Sequence, residues 1–287
     1  MISEKVALVL QGGGARGIFV AGVTDALLDA GLEFPYVIGT SAGSLVGYNV
    51  VAKERGRAKE VIIKGMRDKR FAGYSNLIRT KSFFNFDFLF NDLPKEIPFS
   101  FESFEESKAQ FYCCCTGVED GCAHYFEKSR DDFNDCVAAS STLPFFGRPV
   151  RVGDEPYMDG SASFAIPFRK PFLDGYDKIV VVLTRAREYR KKEKKSLVYR
   201  SAAKIKYRKY PKYLASLIKA GKQYNGQMDE LFALEKQGKA FLIFPKHKPV
   251  VGVREKDEKK LEDFYLEGLE VGRESIDRLK EFLEGGK

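Results

Sequence analysis

The feature that most constrains this chain is an order of strand, glycine-rich turn and helix that occurs twice within the first 52 residues. Val6-Ala7-Leu8-Val9-Leu10 is a short apolar run rich in valine, which reads as a strand buried on both faces. Gln11 to Gly17 is a glycine-rich turn. Ile18 to Ala30 then carries Val20, Val23 and Leu27 at helical spacing, with Gly31 as the stop. The order repeats as the strand Tyr36-Val37-Ile38, the turn Gly39-Thr40-Ser41-Ala42-Gly43 and a helix from Leu45 to Ala52. Parallel strands need such crossovers, so the sequence predicts an α/β fold wound around a mainly parallel sheet.

Further strands are expected at Phe111–Val118, His124–Glu127, Lys178–Leu183 and Ala240–Phe244. Ser129–Ala139 reads as a helix capped by Ser129, with Asp131 and Asp132 in its first turn. More helix is expected around Tyr213–Gln237, and an amphipathic one from about Glu255 to Leu283. Between the two halves, Phe71–Phe111 holds 10 Phe and one Tyr in 41 residues. Phe84-Asn85-Phe86-Asp87-Phe88 alternates there, and Pro94 and Pro98 are expected to break any helix. The region is either a lid or wall of a binding site or ordinary core. Core is the preferred reading, because aromatic clusters usually bury themselves. A boundary is expected near Arg185, dividing a catalytic domain (residues 5–185) from a basic, largely helical extension (residues 186–287).

At 287 residues, 44% hydrophobic and 31% charged, the chain has the balance of a globular protein with a sizeable core. No run of about 18 apolar residues exists to span a membrane. The first residues go straight into a strand without a secretory leader, so a cytoplasmic location is expected. Five cysteines, three of them adjacent (Cys113, Cys114, Cys115), make a poor disulfide framework. They read as small apolar residues of a buried strand. A zinc site from these, Cys122 and His124 would lack the spacing of a finger or ribbon, and no metal is expected.

The net charge is +8, but Arg185–Lys212 alone holds 13 Lys/Arg and 2 Glu, leaving about −3 for the rest. Tyr189, Tyr199, Tyr207, Tyr210 and Tyr213 interleave those charges as stacking surfaces for nucleic acid would, yet no nucleic-acid motif accompanies them. Contact with an anionic membrane at its cytoplasmic face fits better. Ala202, Ile205, Tyr213, Leu214 and Leu217 would add apolar contact if the segment is helical. The alternative is a solvated face paired with Glu255, Asp257, Glu258, Glu262 and Asp263.

The chemistry lies in the turns. Gly39–Gly43 is a G-x-S-x-G between a strand and a helix, where small neighbours let the backbone turn sharply and expose Ser41. The helix that follows it aims its N-terminal amides at the same spot. Gly12-Gly13-Gly14 presents bare N–H groups, as an oxyanion hole requires. The segment through Arg16 and Gly17 also matches G-x-G-x-x-G. A dinucleotide site would need an acid at the end of the second strand, and Val37–Ser41 supplies none. For a base the chain offers only two histidines, His124 in a probable strand and His247 between lysines. Asp159, after a strand-like stretch and before Gly160 and Ser161, is the better candidate. An ordinary Asp-Gly turn is the alternative.

Taken in order, Gly12–Gly17, Gly39–Gly43, Ala139–Phe146 and Asp159-Gly160 resemble the patatin-like phospholipase family. The resemblance covers about residues 5–185. It implies a three-layer α/β/α fold and hydrolysis of lipid acyl esters by a Ser–Asp dyad without a cofactor. Ser41 would be the nucleophile and Asp159 the base. Gly12, Gly13, Gly14 and Ala42 would form the oxyanion hole, supported by Arg16, Gly17, Gly39, Gly43, Gly160 and Ser161. Ser161 departs from the Gly or Ala usual in the family. A non-catalytic lipid-binding protein on the same fold is the competing expectation.

Overall fold

The computed structural model describes residues 5–192 and 196–285. Met1–Glu4, and Glu193, Lys194 and Lys195 of the basic segment, lie outside the described residues. The strands are β1 Val6–Leu10, β2 Tyr36–Thr40, β3 Gln110–Gly117, β4 Ala123–Glu127, β5 Val150–Val152, β6 Glu155–Asp159, β7 Lys178–Val182 and β8 Ala240–Ile243. The helices are α1 Gly17–Asp29, α2 Ala42–Val51, α3 Arg57–Arg67, α4 Tyr74–Arg79, α5 Leu93–Glu96, α6 Phe101–Glu106, α7 Phe133–Ser141, α8 Arg169–Leu173, α9 Leu197–Lys206, α10 Pro211–Lys236 and α11 Glu258–Glu284.

All eight strands form one sheet of order β5-β6-β3-β2-β1-β7-β8, with β4 on the other edge of β3. The run from β3 through β8 is parallel, and β4, β5 and β6 pair antiparallel. Alternation along β1 explains the layers. Val6, Leu8 and Leu10 join a core with α1, α2, α7 and α11, while Ala7 and Val9 join one with α10 on the opposite face. The result is the α/β/α sandwich that the family resemblance implies.

The C-terminal segment completes this sandwich: β8 extends the sheet beyond β7, and α11 lies along α1. The two helices touch backbone to backbone. A Cβ at Gly22 would lie 2.2 Å from Tyr265 O, and one at Gly268 would lie 2.3 Å from Phe19 O. Tyr265 also donates to the buried Asp25 carboxylate at 2.7 Å. Helix α1 is therefore covered on all sides, which accounts for its nearly unbroken apolar sequence.

Several local expectations need correction. The helix after the strand β4 starts at Phe133, with Asp132 rather than Ser129 at its N-cap. Arg130 binds the Asp132 carboxylate, and Ser129 turns back toward Glu127. Pro94 does not break its helix, because it falls at the start of α5, where its missing N–H costs little. The preceding turn, Phe88–Asp92, is a π-helix. In the basic segment, Tyr213 and Leu217 are buried against Val118, Met158 and Ala162 instead of facing a membrane. Three of the five acids proposed to pair with that segment bind elsewhere: Glu258 with Arg67, Glu262 with Lys59 and Glu255 with Lys260. Arg187 and Arg190 pair instead with Glu235 and Asp229 of α10. In the Phe-rich region Phe71, Phe83, Phe84, Phe88, Phe104 and Phe111 are all buried, and Phe71, Phe84 and Phe86 also line a pocket that reaches Ser41.

Candidate active site

Register brings the two principal candidates together. Thr40, the last residue of β2, is opposite Cys114 of β3, and Asp159, the last of β6, is opposite Cys115. Since β4 occupies the other edge of β3, β2 and β6 share one edge and end toe to toe. Ser41 follows Thr40 directly, so it leaves the sheet beside Asp159.

Ser41 has φ 56° and ψ −126°. A side-chain-bearing residue in the left-handed region is strained and persists only where its surroundings hold it. Here close backbone packing does so: a Cβ at Gly39 would lie 2.4 Å from the Gly43 backbone, and one at Gly43 2.2 Å from Leu10 O. The Ser41 amide donates to Ser140 Oγ at 2.9 Å, and Ser140 Oγ donates to Cys114 O at 2.7 Å. Ser44 Oγ donates to the Ser41 carbonyl at 2.6 Å. These bonds fix the elbow while leaving the Ser41 hydroxyl out of the clamp.

Asp159 is 1% exposed. One carboxylate oxygen accepts from the Ser161 amide at 2.8 Å, and Thr116 Oγ1 donates to the Asp159 carbonyl at 2.9 Å. The other oxygen, Oδ2, is buried with no hydrogen bond formed. Burial raises the pKa of this carboxyl, opposed by Ser161, by the nearby Ser41 hydroxyl and by the charge of Lys191. A Cβ at Gly160 would lie 2.4 Å from Cys114 O, so a larger residue there would push Asp159 off the strand.

The glycine loop lies against this pair: a Cβ at Gly12 would sit 2.3 Å from Thr40 O and 2.7 Å from Ser41 Cβ. Thr184 Oγ1 donates to Gly12 O at 3.0 Å, and the Thr184 amide donates to Gln11 Oε1 at 2.7 Å. Gly14, at φ 59°, lies against Val253, whose carbonyl accepts from the Ala15 amide at 2.9 Å. Among the described residues, the amides of Gly12, Gly13, Gly14 and Ala42 meet no acceptor. Gly17 packs on Ala42, tying the loop to α2.

Ser41 stands where two pockets join. The first, about 60 Å³, is apolar and lined by Leu45, Val61, Ile62, Met66, Phe71 and Phe84, among others. The second, about 250 Å³, is polar and holds Gly12–Gly14, Asp159, Arg16, Arg185, Lys191 and Tyr189. Arg16 is 8% exposed and its Nε has no hydrogen-bond partner. Burial, then the neighbouring Arg185, lowers its pKa to about 10.

Neither histidine lines either pocket. His124 Nε2 is 2.8 Å from Asp120 Oδ2, on the far edge of β3, and His247 is exposed. Cys113, Cys114 and Cys115 are buried in β3, and all five cysteines are free thiols. Among the described residues no group of three His, Cys, Asp or Glu is gathered to hold a metal. Sequence reasoning did not single out Ser140, Thr184 or Val253. Ser140 was within reach, because it lies in the recognised block Ala139–Phe146. Val253 carries no local signal, since it acts through its carbonyl.

The family model described as patatin-like phospholipase matches residues 8–171. A second, described as a domain of unknown function (DUF6363), matches residues 210–284. The chain is 31% identical to the uncharacterized protein YjjU of Escherichia coli K12 over 186 residues, 63% of this chain and 52% of that protein. It is 46% identical to lysophospholipase NTE1 of Yarrowia lipolytica over 63 residues, 20% of this chain and 4% of that protein. It thus spans about half of YjjU and a small part of the lysophospholipase. In structure it is similar to VipD from Legionella pneumophila, with a TM-score of 0.52 and 13% identity, covering 96% of this chain and 67% of the other. A family match running from β1 through β6 to α8, more than half the chain, makes this protein a member of the patatin-like phospholipase family.

Proposed function

We propose that the protein hydrolyses carboxylic esters of lipids, as a phospholipase A, lysophospholipase or esterase, through a Ser41–Asp159 dyad and an acyl-enzyme. The observation that carries this reading is the unbonded, buried Oδ2 of Asp159 beside the hydroxyl of a strained Ser41. Asp159 removes the Ser41 proton as Oγ attacks the ester carbonyl. The tetrahedral oxyanion accepts from the amides of Gly12–Gly14 and Ala42. Asp159 then gives its proton to the departing alkoxide. It next takes one from the water that attacks the acyl-enzyme, and Ser41 recovers its own as the fatty acid leaves. A raised pKa makes the carboxylate a stronger base than an exposed aspartate, provided the working pH keeps it ionised.

The apolar pocket supports an acyl chain as the part of the substrate held during this chemistry. Helix α9 supports work at an anionic membrane surface, for which the cytoplasmic face has the matching charge. It exposes Leu197, Val198 and Ile205 by 79%, 80% and 74%, next to Arg200 and Lys204. Its neighbour Tyr207 is bonded to the Phe145 amide at 2.9 Å, close in sequence to Leu143, which lines both pockets. No helix of the described residues is long and apolar enough to cross a membrane. The competing picture of a non-catalytic lipid binder leaves the strain at Ser41 without a purpose.

The test is labelling with a fluorophosphonate and turnover of a nitrophenyl ester. Wild type reacts in both. Ser41→Ala reacts in neither yet melts like wild type, and His124→Ala and His247→Ala keep their activity. A Ser41→Ala protein retaining more than a few per cent of turnover would overturn the assignment.

A further inference from the structure

The apolar pocket takes up one side of Ser41, and the ester reading says nothing of what fills the other. That side is cationic. Arg16, Arg185 and Lys191 line it, and its single acid among the described residues, Asp159, is buried. Adjacent arginines show what is unusual here. Arg187 and Arg190 each pair with a carboxylate of α10, whereas Arg185, two positions before Arg187, pairs with no acid among the described residues. Neither does Arg16, whose Nε is buried and without a partner. Burying a cation without an acceptor costs free energy, and a bound anion removes that cost.

The aromatic rings in this pocket sharpen the point. Arg185 stacks on Tyr189 at 4.6 Å, and Lys191 lies 5.7 Å from the ring of Tyr224. The two rings are themselves in edge contact, with centroids 5.9 Å apart. Each ring is therefore already engaged by a cation of the protein, and among the described residues the pocket offers a substrate ammonium no carboxylate other than the buried Asp159. The segment is also held in place: the Lys191 amide donates to Asn225 Oδ1 at 2.8 Å, and Asn225 Nδ2 donates to the Lys191 carbonyl at 3.1 Å.

We infer that Arg16, Arg185 and Lys191 form a subsite for the phosphate of a net-negative headgroup, so that anionic lipid esters are preferred over zwitterionic choline or ethanolamine esters. This rests on the proposed hydrolase reading and makes Arg185 a specificity-determining residue. Arg185 is the one to change, because it is only half-buried, whereas Arg16 is 8% exposed and belongs to the glycine-rich turn.

The experiment compares kcat/KM for lysophosphatidylglycerol, lysophosphatidylcholine and a monoacylglycerol of the same acyl chain. All are kept below their micelle-forming concentrations so that surface binding does not enter. Wild type favours lysophosphatidylglycerol over both others by roughly 10- to 100-fold, the scale of a hydrogen-bonded charge pair. Arg185→Gln brings the preference over lysophosphatidylcholine down at least severalfold, and Arg185→Lys restores part of it. Glycerol 3-phosphate and inorganic phosphate are tested as inhibitors of nitrophenyl ester hydrolysis. Stronger inhibition by the former assigns the site to a headgroup, and inhibition by inorganic phosphate alone overturns that assignment. Binding of the two lysolipids to Ser41→Ala protein, read by calorimetry, separates the two readings. Equal affinity for both lipids overturns the headgroup inference whatever the rates. A preference for lysophosphatidylglycerol in binding without turnover by wild type leaves the subsite standing and removes the hydrolase.

Discussion

The two sides of Ser41 differ in how the chain builds them. Most of the apolar side comes from one stretch, Ser41 to Phe86, whose side chains belong to α2, α3 and the Phe-rich region. The polar side is assembled from pieces far apart in sequence: the glycine loop, Asp159, the residues after β7, Tyr224 of α10 and Val253 before α11. A wall made by packing tolerates a change in one member by adjusting its neighbours. A wall made by positioned polar groups has no such slack, because each group is held by one or two hydrogen bonds of fixed direction. The polar side should therefore be the more sensitive to single substitutions.

Asp159→Asn tests that difference most severely, and in two ways. Turnover should fall by about 10³-fold or more, because the base is lost while the Ser161 hydrogen bond remains possible. Stability should move the other way. The folded-state pKa of Asp159 is raised, so the folded protein binds more protons than the unfolded chain between the ordinary and the raised value. Its stability contribution is therefore lost as pH rises through that window. At neutral pH the buried charge is a cost, and removing it should raise Tm by about 2–4 °C for each kcal/mol relieved. The same sign makes wild-type kcat/KM drop as pH falls through the raised pKa, above the range of an exposed aspartate. An Asn variant less stable than wild type at pH 7 but not at pH 4 would show the carboxylate to be well solvated.

Gly13→Ala comes next. Its Cβ would lie 3.0 Å from Thr184 Oγ1, tight enough to shift the loop without breaking it. Turnover should fall on the order of 10²-fold with little change in KM, as for loss of one oxyanion donor. A rise in KM at constant kcat would mean that the loop holds ground-state substrate instead.

Val61→Phe probes the apolar side and should do less. Filling the pocket should reduce kcat/KM for long-chain esters relative to short ones by roughly 4-fold for each methylene displaced, from about 0.8 kcal/mol per CH₂. Equal losses on all chain lengths would show that the acyl group lies elsewhere.

The smallest effect is expected outside the cleft, where Leu197, Val198 and Ile205 of α9 are changed together to Gln. Co-sedimentation with anionic vesicles should weaken severalfold, with hydrolysis of a soluble nitrophenyl ester unaltered. Binding that is unchanged, or indifferent to salt in the wild type, would assign the charge of this segment to the fold.

The sequence showed some parts of the molecule plainly and hid others for identifiable reasons. Strands β1, β3 and β7 were legible because they are buried on both faces and so apolar throughout. The elbow was legible because Gly39 and Gly43 have to be small for their backbones to approach so closely. Ser129 misled because a good capping residue was in place, although the helix starts only after Asp132, which is held by Arg130. Tyr213 and Leu217 misled because residues of a basic amphipathic segment look alike whether they face lipid or Val118 and Met158.

What the sequence determined by itself is whatever rests on local covalent and steric constraint: the strand-turn-helix order, the glycines and the identity of Ser41 and Asp159. The tertiary structure decided how those groups meet. Their adjacency depends on β2 and β6 ending on neighbouring residues of β3, Cys114 and Cys115, although Thr40 and Asp159 are 119 positions apart in the chain and neither's local pattern shows the other. The unbonded Oδ2, the burial of Arg16 and the support of Gly14 and Ala15 by Val253 are likewise properties of contacts between distant segments. Side-chain chemistry is written residue by residue, but desolvation and hydrogen-bond direction exist only once the chain has closed around the site.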